Sequence, residues 1–103
     1  MIDYIDTQIA LQIIKIDNNC QLVLIDGFNR IFNKDPLKAS RNIFFINNIG
    51  QVIWRVFSKN DRFGDSFMNI YKIQDEYKAY RWDGGQYGLN IQTGEATPEI
   101  LLK

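Results

Sequence analysis

Histidine is missing from the 103-residue chain, and cysteine occurs once, at Cys20. The first absence removes the commonest general base and metal ligand; the second forbids an internal disulfide. Charge of one sign is lacking as well. Twelve Lys and Arg offset 12 Asp and Glu, so the basic footprint of a dedicated nucleic-acid binder is not there. Leu22-Val23-Leu24-Ile25 is far too short to span a bilayer. The start, Met1-Ile2-Asp3-Tyr4-Ile5-Asp6, carries acids where a secretory signal carries Lys or Arg. These absences favour a cytoplasmic protein with no membrane partner, in which Cys20 is a small hydrophobe in a reducing interior. Abundant Ile, Asn and Lys suggest a bacterial source. What is present, 46% hydrophobic residues over a length that suits one domain, points to a single globular unit over residues 1–103.

Along the chain, turn signals separate short apolar segments. Ile9 to Asp17 begins with Ile9, Leu11 and Ile13 alternating on one strand face; the parity then passes to Ile14 and Ile16, which demands a bulge or burial on both faces. Asn18-Asn19 marks a turn, since Asn tolerates positive φ, and Cys20 to Asp26 returns as the second strand of a hairpin. Gly27 breaks that strand. Phe28, Ile31 and Phe32 recur at helical spacing, and Asp35-Pro36 reads as an N-cap followed by a first-turn proline. One or two short helical turns over 28–39, capping one end of the sheet, are expected. Residues 1–26 hold four acids and one base, whereas 27–41 hold four bases (Arg30, Lys34, Lys38, Arg41) and one acid.

Beyond Asn42 the pattern is strand and turn repeatedly. Ile43 to Ile46 pairs with Val52 to Val56 across a turn closed by Gly50. A polar loop over 58–66 follows, then strands at Phe67 to Ile73, Lys78 to Trp82 and Gln86 to Ile91. Asp75-Glu76, Asp83-Gly84-Gly85 and Thr93-Gly94 fall at the turns, and a last strand runs from Ala96 to Leu102 with Pro98 at an edge. The expected fold class is all-β: an antiparallel meander or partly open barrel of about seven to eight strands with one short helical segment.

Two stretches echo each other. Ile43-x-Phe45 followed by Gly50-x-Val52 matches Tyr87-x-Leu89 followed by Gly94-x-Ala96. The segment from Asn42-Ile43-Phe44-Phe45 to Gly50-Gln51-Val52-Ile53-Trp54 resembles the repeat of quinoprotein-type propeller blades. A propeller needs at least about four blades and this length holds two at most, unless several chains assemble one. Any β-hairpin with a Gly turn also gives such an echo. A second resemblance covers roughly the C-terminal 60 residues: Asn42 to Phe45, Gly50 to Trp54, Phe67, Trp82-Asp83-Gly84, Tyr87 and Thr93-Gly94. In that order these elements resemble a group of small stand-alone, uncharacterised bacterial all-β proteins, which are similar in size and in lacking catalytic motifs to immunity proteins of interbacterial competition systems. The resemblance implies a cognate protein toxin as partner.

No catalytic constellation is legible. Cys20 has no histidine to activate it, and no Gly-x-Ser-x-Gly elbow occurs. A zinc site would need an all-carboxylate shell. Asp61 and Asp65 around Gly64 distantly resemble a calcium loop, but Phe63 sits at a ligand position; Asp61 reads as a partner of Arg62 or Lys59. Asp75, Glu76 and Asp83 supply carboxylates for a glycosidase pair, yet all lie at turns. No enzyme activity, metal or cofactor is therefore expected. Aromatics make up 14% of the chain, too many for a small domain to hide. Tyr80, Trp82 and Tyr87 read as a cross-strand cluster edged by Arg81 on the opposite face, and Arg55 beside Trp54 gives a second candidate. Trp54 itself, in phase with Val52 and Val56, reads as packing. Because Trp, Tyr and Arg are enriched in interface hot spots, the candidate partner-binding residues are Tyr80, Arg81, Trp82, Asp83, Tyr87 and Arg55. The leading reading is a non-catalytic protein-binding module of immunity type. The alternative is a small-ligand or carbohydrate-binding β domain using the aromatic cluster. The acids at 75, 76 and 83 dilute any nucleic-acid field, and no pattern fixes an oligomeric state.

Overall fold

The structure, a computed structural model, describes residues 2–59, 61, 65–82 and 84–101. Eight antiparallel strands form two four-stranded sheets, each a simple meander in chain order. The first holds β1 (Ala10–Lys15), β2 (Cys20–Ile25), β3 (Ile43–Asn47) and β4 (Val52–Arg55); the second holds β5 (Phe67–Ile73), β6 (Glu76–Arg81), β7 (Gly85–Leu89) and β8 (Ala96–Leu101). Neither sheet closes on itself.

The sheets pack face to face, and sequence explains which faces meet. Leu22, Leu24, Ile43 and Phe45 of the first sheet bury against Phe67, Ile70, Ala79, Tyr87, Leu89 and Ala96 of the second. The neighbours of those first-sheet residues, Val23, Ile25, Phe44 and Ile46, point the other way and are covered by Ile5 and Phe32, with Ile2, Ile31 and Ala39 beside them. β2 and β3 are thus buried on both faces, which is why they read as unbroken apolar runs rather than alternating ones. Each such side chain contributes about 1.5–3 kcal/mol on leaving water.

The covering layer comes from the segment between β2 and β3, a 3₁₀ turn at Arg30–Phe32 and a single-turn helix, α1 (Pro36–Ala39). It lies over a sheet face rather than capping an end, because its apolar residues complete the second core. Asp35 is the N-cap, its Oδ1 accepting the Leu37 and Lys38 N–H groups at 3.0 and 3.2 Å, with Pro36 in the first turn. Four residues cannot hold a helix by propensity. Arg55 secures the other end: Nη2 donates to Lys38 O (2.6 Å), Nε donates to Arg41 O (2.7 Å), and the guanidinium lies over Phe32 and Phe44.

Irregularities fix the registers. A bulge between Ala10 and Gln12 turns Ile9, Leu11 and Ile13 outward and sends Gln12, Ile14 and Ile16 toward the second sheet. Gln12 then joins the sheets, donating to Asn69 Oδ1 at 2.6 Å and accepting the Ile70 N–H at 2.7 Å. A second bulge separates Val52 from Trp54: Trp54 stacks on Phe45 at 5.2 Å in the inter-sheet core, while Val52 packs under the covering layer. The Asn18-Asn19 turn needs no positive φ, because Asp17 Oδ1 accepts the N–H groups of Asn19 and Cys20. Buried Asn42 staples the sheets, donating from Nδ2 to Ile25 O and Phe67 O and accepting the Phe67 N–H at its Oδ1, all at 2.7–2.8 Å.

The echo in the sequence falls on equivalent hairpins, β3–β4 and β7–β8. Gly50 and Gly94 both adopt positive φ, 90° and 85°, and each receives an aromatic ring where a Cβ would stand: Tyr4 on Gly50 and Trp54 on Gly94. Stacking of further chains as propeller blades is opposed on the first sheet, whose outer face its own chain covers.

Candidate functional site

The turns that end β2 and β6 and the start of β5 meet at one end of the sandwich. Asp26 Oδ1 accepts the Phe28 N–H at 2.9 Å and its carbonyl accepts the Asn29 N–H, folding the chain back at Gly27. Gly27 permits this because a Cβ there would stand 2.6 Å from Ser66 Oγ. Asn29 then caps the 3₁₀ turn through the Ile31 N–H at 3.0 Å. That turn directs Ile31 and Phe32 inward and leaves Phe28 outside, 96% exposed. The Trp82 N–H donates to Ser66 O at 3.0 Å, which holds the tryptophan backbone against the start of β5, yet its side chain is 68% exposed. Met68, 47% exposed, completes the surface. Phe28, Met68 and Trp82, with Asp26 and Ser66, line one depression of about 310 Å³. A second, of about 370 Å³, lies on the other side of Phe28 against Lys34, Asp35, Pro36 and Ala39. Phe28 therefore borders both depressions.

The six residues named from sequence do not assemble into one cluster. Trp82 joins the exposed patch. Tyr80, half-buried on the outer face of the second sheet, has Gln86 as its cross-strand neighbour. Tyr87 lies opposite Ala79, faces the inter-sheet core and meets Phe67 edge-on at 5.4 Å, so it is no part of a surface cluster. Arg55 is half-buried as the clasp of α1; burial pushes its pKa down, Arg41 adds to that, and Asp35 opposes it. Asp83 lies outside the described residues.

Arg81 is fully buried, 0% exposed. Its guanidinium sits 4.2 Å over the Phe67 ring and 5.0 Å from Tyr87, donates to Ser40 O at 3.1 Å, and pairs with Asp61 at 2.8 Å. Asp61 also takes the Arg41 Nε at 2.7 Å; it is thus held by Arg41 and Arg81 instead of pairing with Lys59 as expected, while Arg62 lies outside the described residues. Burial pushes the Asp61 carboxyl up, but hydrogen bonds from Arg81, Arg41 and the Ser58 backbone outweigh it and hold the pKa below the ordinary carboxylate value. The side chains tie the polar loop to the covering layer, which is structural work.

The outer face of the second sheet carries a polar chain. Tyr71 OH donates to Gln86 Oε1, Gln86 Nε2 donates to Glu99 Oε1, and Lys78 Nζ donates to Glu76 and Glu99 at 2.8–2.9 Å. Those two carboxylates raise the Lys78 pKa. A depression of about 540 Å³ opens beside Lys78, Gly88 and Thr97. Among the described residues, no three His, Cys, Asp or Glu side chains converge to hold a metal ion, and no helix is long and apolar enough to cross a membrane.

Phe28 escaped the sequence reading because its spacing to Ile31 and Phe32 fits a helical stripe. The signal that locates it is the flanking Asp26-Gly27 and Asn29, turn chemistry that isolates the ring from that stripe. No protein-family model, curated protein or solved structure matches the chain.

Proposed function

We propose that this protein is a non-catalytic protein-binding module of the immunity type, which neutralises a cognate bacterial toxin by covering part of its surface. One observation carries the reading: Phe28, Met68 and Trp82 form a contiguous apolar surface at the end of the sandwich, held there by backbone hydrogen bonds and not needed by either core. Large exposed apolar patches mark interaction sites, and Trp, Phe and Met are enriched where proteins dock.

The test is binding of the purified protein to the product of the gene beside its own, by calorimetry, together with suppression of that product's toxicity on co-expression. Binding and protection both lost in Phe28→Ser and Trp82→Ser supports the reading. No binding, or protection unaffected by both variants, refutes it. A small-ligand reading rests on another place, the depression beside Lys78, Glu99 and Thr97, whose polar groups suit a hydroxylated ligand. Saccharide titrations followed at the ring resonances of Tyr77, which lines that depression, test it, and unmoved resonances refute it.

A further inference from the structure

Each sheet ends in two outer strands, and the chain itself meets three of these four edges. Beside β4, the Ile5 N–H donates to Gly50 O and the Val52 N–H to Asp3 O, both at 2.9 Å. Beside β8, the Phe57 N–H donates to Gly94 O at 3.1 Å, and Phe57 O accepts the Ala96 N–H at 2.8 Å. On β5, Gln12 Oε1 accepts the Ile70 N–H. Such contacts blunt an edge, whose unpaired N–H and C=O groups otherwise template a further strand. β1 is the fourth edge, and among the described residues no hydrogen bond reaches its outer side. The Ile16 N–H donates to Cys20 O, and the Ile25 N–H donates to Asn42 O on the β3 side. Alternation therefore turns the backbone groups of Ile13 and Lys15 away from β2. Leu11 and Ile13 are 57% and 45% exposed on one face of this strand, and Lys15, exposed on the same face, is its one charge. The bulge lies at Leu11 and leaves Gln12 to Lys15 in unbroken register with Leu24 to Gln21.

We propose that β1 pairs antiparallel with β1 of a second copy of this chain, about a two-fold axis through Ile13, so that the two first sheets join edge to edge. On that axis Ile13 meets its own counterpart through both backbone groups, and the Lys15 stem of each strand lies across Leu11 of the other. Charge favours this occupant. The chain has zero net charge, so two copies do not repel at long range. Antiparallel pairing holds the two Lys15 residues apart by the length from Leu11 to Lys15, about 13 Å, whereas parallel pairing sets them side by side. The strand is six residues long, against about 20–30 residues a side in a stable interface, so the dimer is weak and grows with concentration. It also stops at two, because the pairing uses both β1 edges and the chain meets the other three. This edge shares no residue with the Phe28–Met68–Trp82 surface, and neither reading depends on the other.

The experiment is sedimentation of the full chain from micromolar to millimolar concentration, beside Ile13→Lys and Phe28→Ser. The chain should pass from monomer to dimer and no further. Ile13→Lys puts two ammonium groups face to face on the axis and should weaken association about tenfold or more. The site is exposed, so its Tm should stay near that of the parent. Phe28→Ser should associate like the parent. Isotope-filtered NMR on a mixture of labelled and unlabelled chains supplies a readout that needs no variant: Leu11 methyls of one copy should show contacts to the Lys15 side chain of the other. A chain that stays monomeric at millimolar concentration overturns the proposal. So does association untouched by Ile13→Lys, or association without the Leu11–Lys15 contacts. Loss in Phe28→Ser instead moves the self-contact to the Phe28 surface, and species larger than a dimer refute closure at β1.

Discussion

Removing the carboxylate of Asp61 isolates the strongest buried electrostatic contact at the end of the sandwich. In Asp61→Ala the fully enclosed Arg81 guanidinium loses this carboxylate. Breaking one partner out of a buried pair costs about 3–5 kcal/mol. Arg81 keeps the faces of Phe67 and Tyr87 and the Ser40 carbonyl, which offset about 1 kcal/mol, and Arg41 is exposed enough to rehydrate. A loss of about 3 kcal/mol is therefore expected, lowering Tm by about 12 °C or more in a domain of this size. Asp61→Asn retains one acceptor and should lose about half as much. Urea unfolding at neutral pH, followed by tryptophan fluorescence, gives the free energies, with Asp65→Ala as the surface control. Arg81→Met combined with Asp61→Ala should recover part of the loss, since an apolar side chain in this aromatic slot needs no counter-ion. A loss below about 0.5 kcal/mol for Asp61→Ala, or no different from Asp65→Ala, would refute the buried-pair reasoning.

Asn42→Ala removes the side-chain acceptor of the Phe67 N–H and a donor from each of the Ile25 and Phe67 carbonyls between the sheets and should cost about 2–4 kcal/mol by the same unfolding assay. Gly94→Ala forces a Cβ to 2.6 Å from the Trp54 ring at a φ of +85° and should cost about 2–4 kcal/mol. Gly88→Ala meets only the mobile end of Glu99 and should cost under about 1.5 kcal/mol, while loosening Glu99 from Lys78. The pKa values of Asp61 and Glu99 both lie below their ordinary values in the fold: burial raises Asp61 but its hydrogen bonds outweigh that, and the Lys78 hydrogen bond lowers Glu99. Their contribution to stability is complete above about pH 4.3 and is lost as pH falls through the depressed folded values. Unfolding free energy measured from neutral pH into acid should drop there, and Asp61→Asn should flatten the drop.

The sequence made most of the fold legible where local chemistry and burial pattern agree. Asp35-Pro36 starts a helix because a carboxylate cap and a proline act within one turn, whatever surrounds them. The glycines at 50 and 94 set turns for the same local reason. The runs at 22–25 and 43–46 announced burial, but not that a third layer would supply the second covering. The bulge that the parity change in β1 called for is present beside Leu11, but sidedness failed at Ile53, where a bulge puts Val52 and Trp54 on opposite faces. Tyr87 was misplaced because its face depends on pairing with Ala79, a register that no residue in the turn states. Arg81 alternates inward between Tyr80 and Trp82, yet a buried arginine is credible only once Asp61, remote in sequence, is known to reach it. Of the proposed binding surface, Trp82 was readable from strand alternation. Phe28 was not, since only the 3₁₀ geometry separates it from Ile31 and Phe32.

The central claim, that the exposed end of the sandwich exists to bind a protein, is tested most directly by the double variant Phe28→Ser/Trp82→Ser. Its affinity for the adjacent-gene product, measured by calorimetry beside its thermal stability, should fall about a hundredfold or more while Tm moves by no more than about 3 °C. Unchanged affinity in the stably folded double variant would contradict the account.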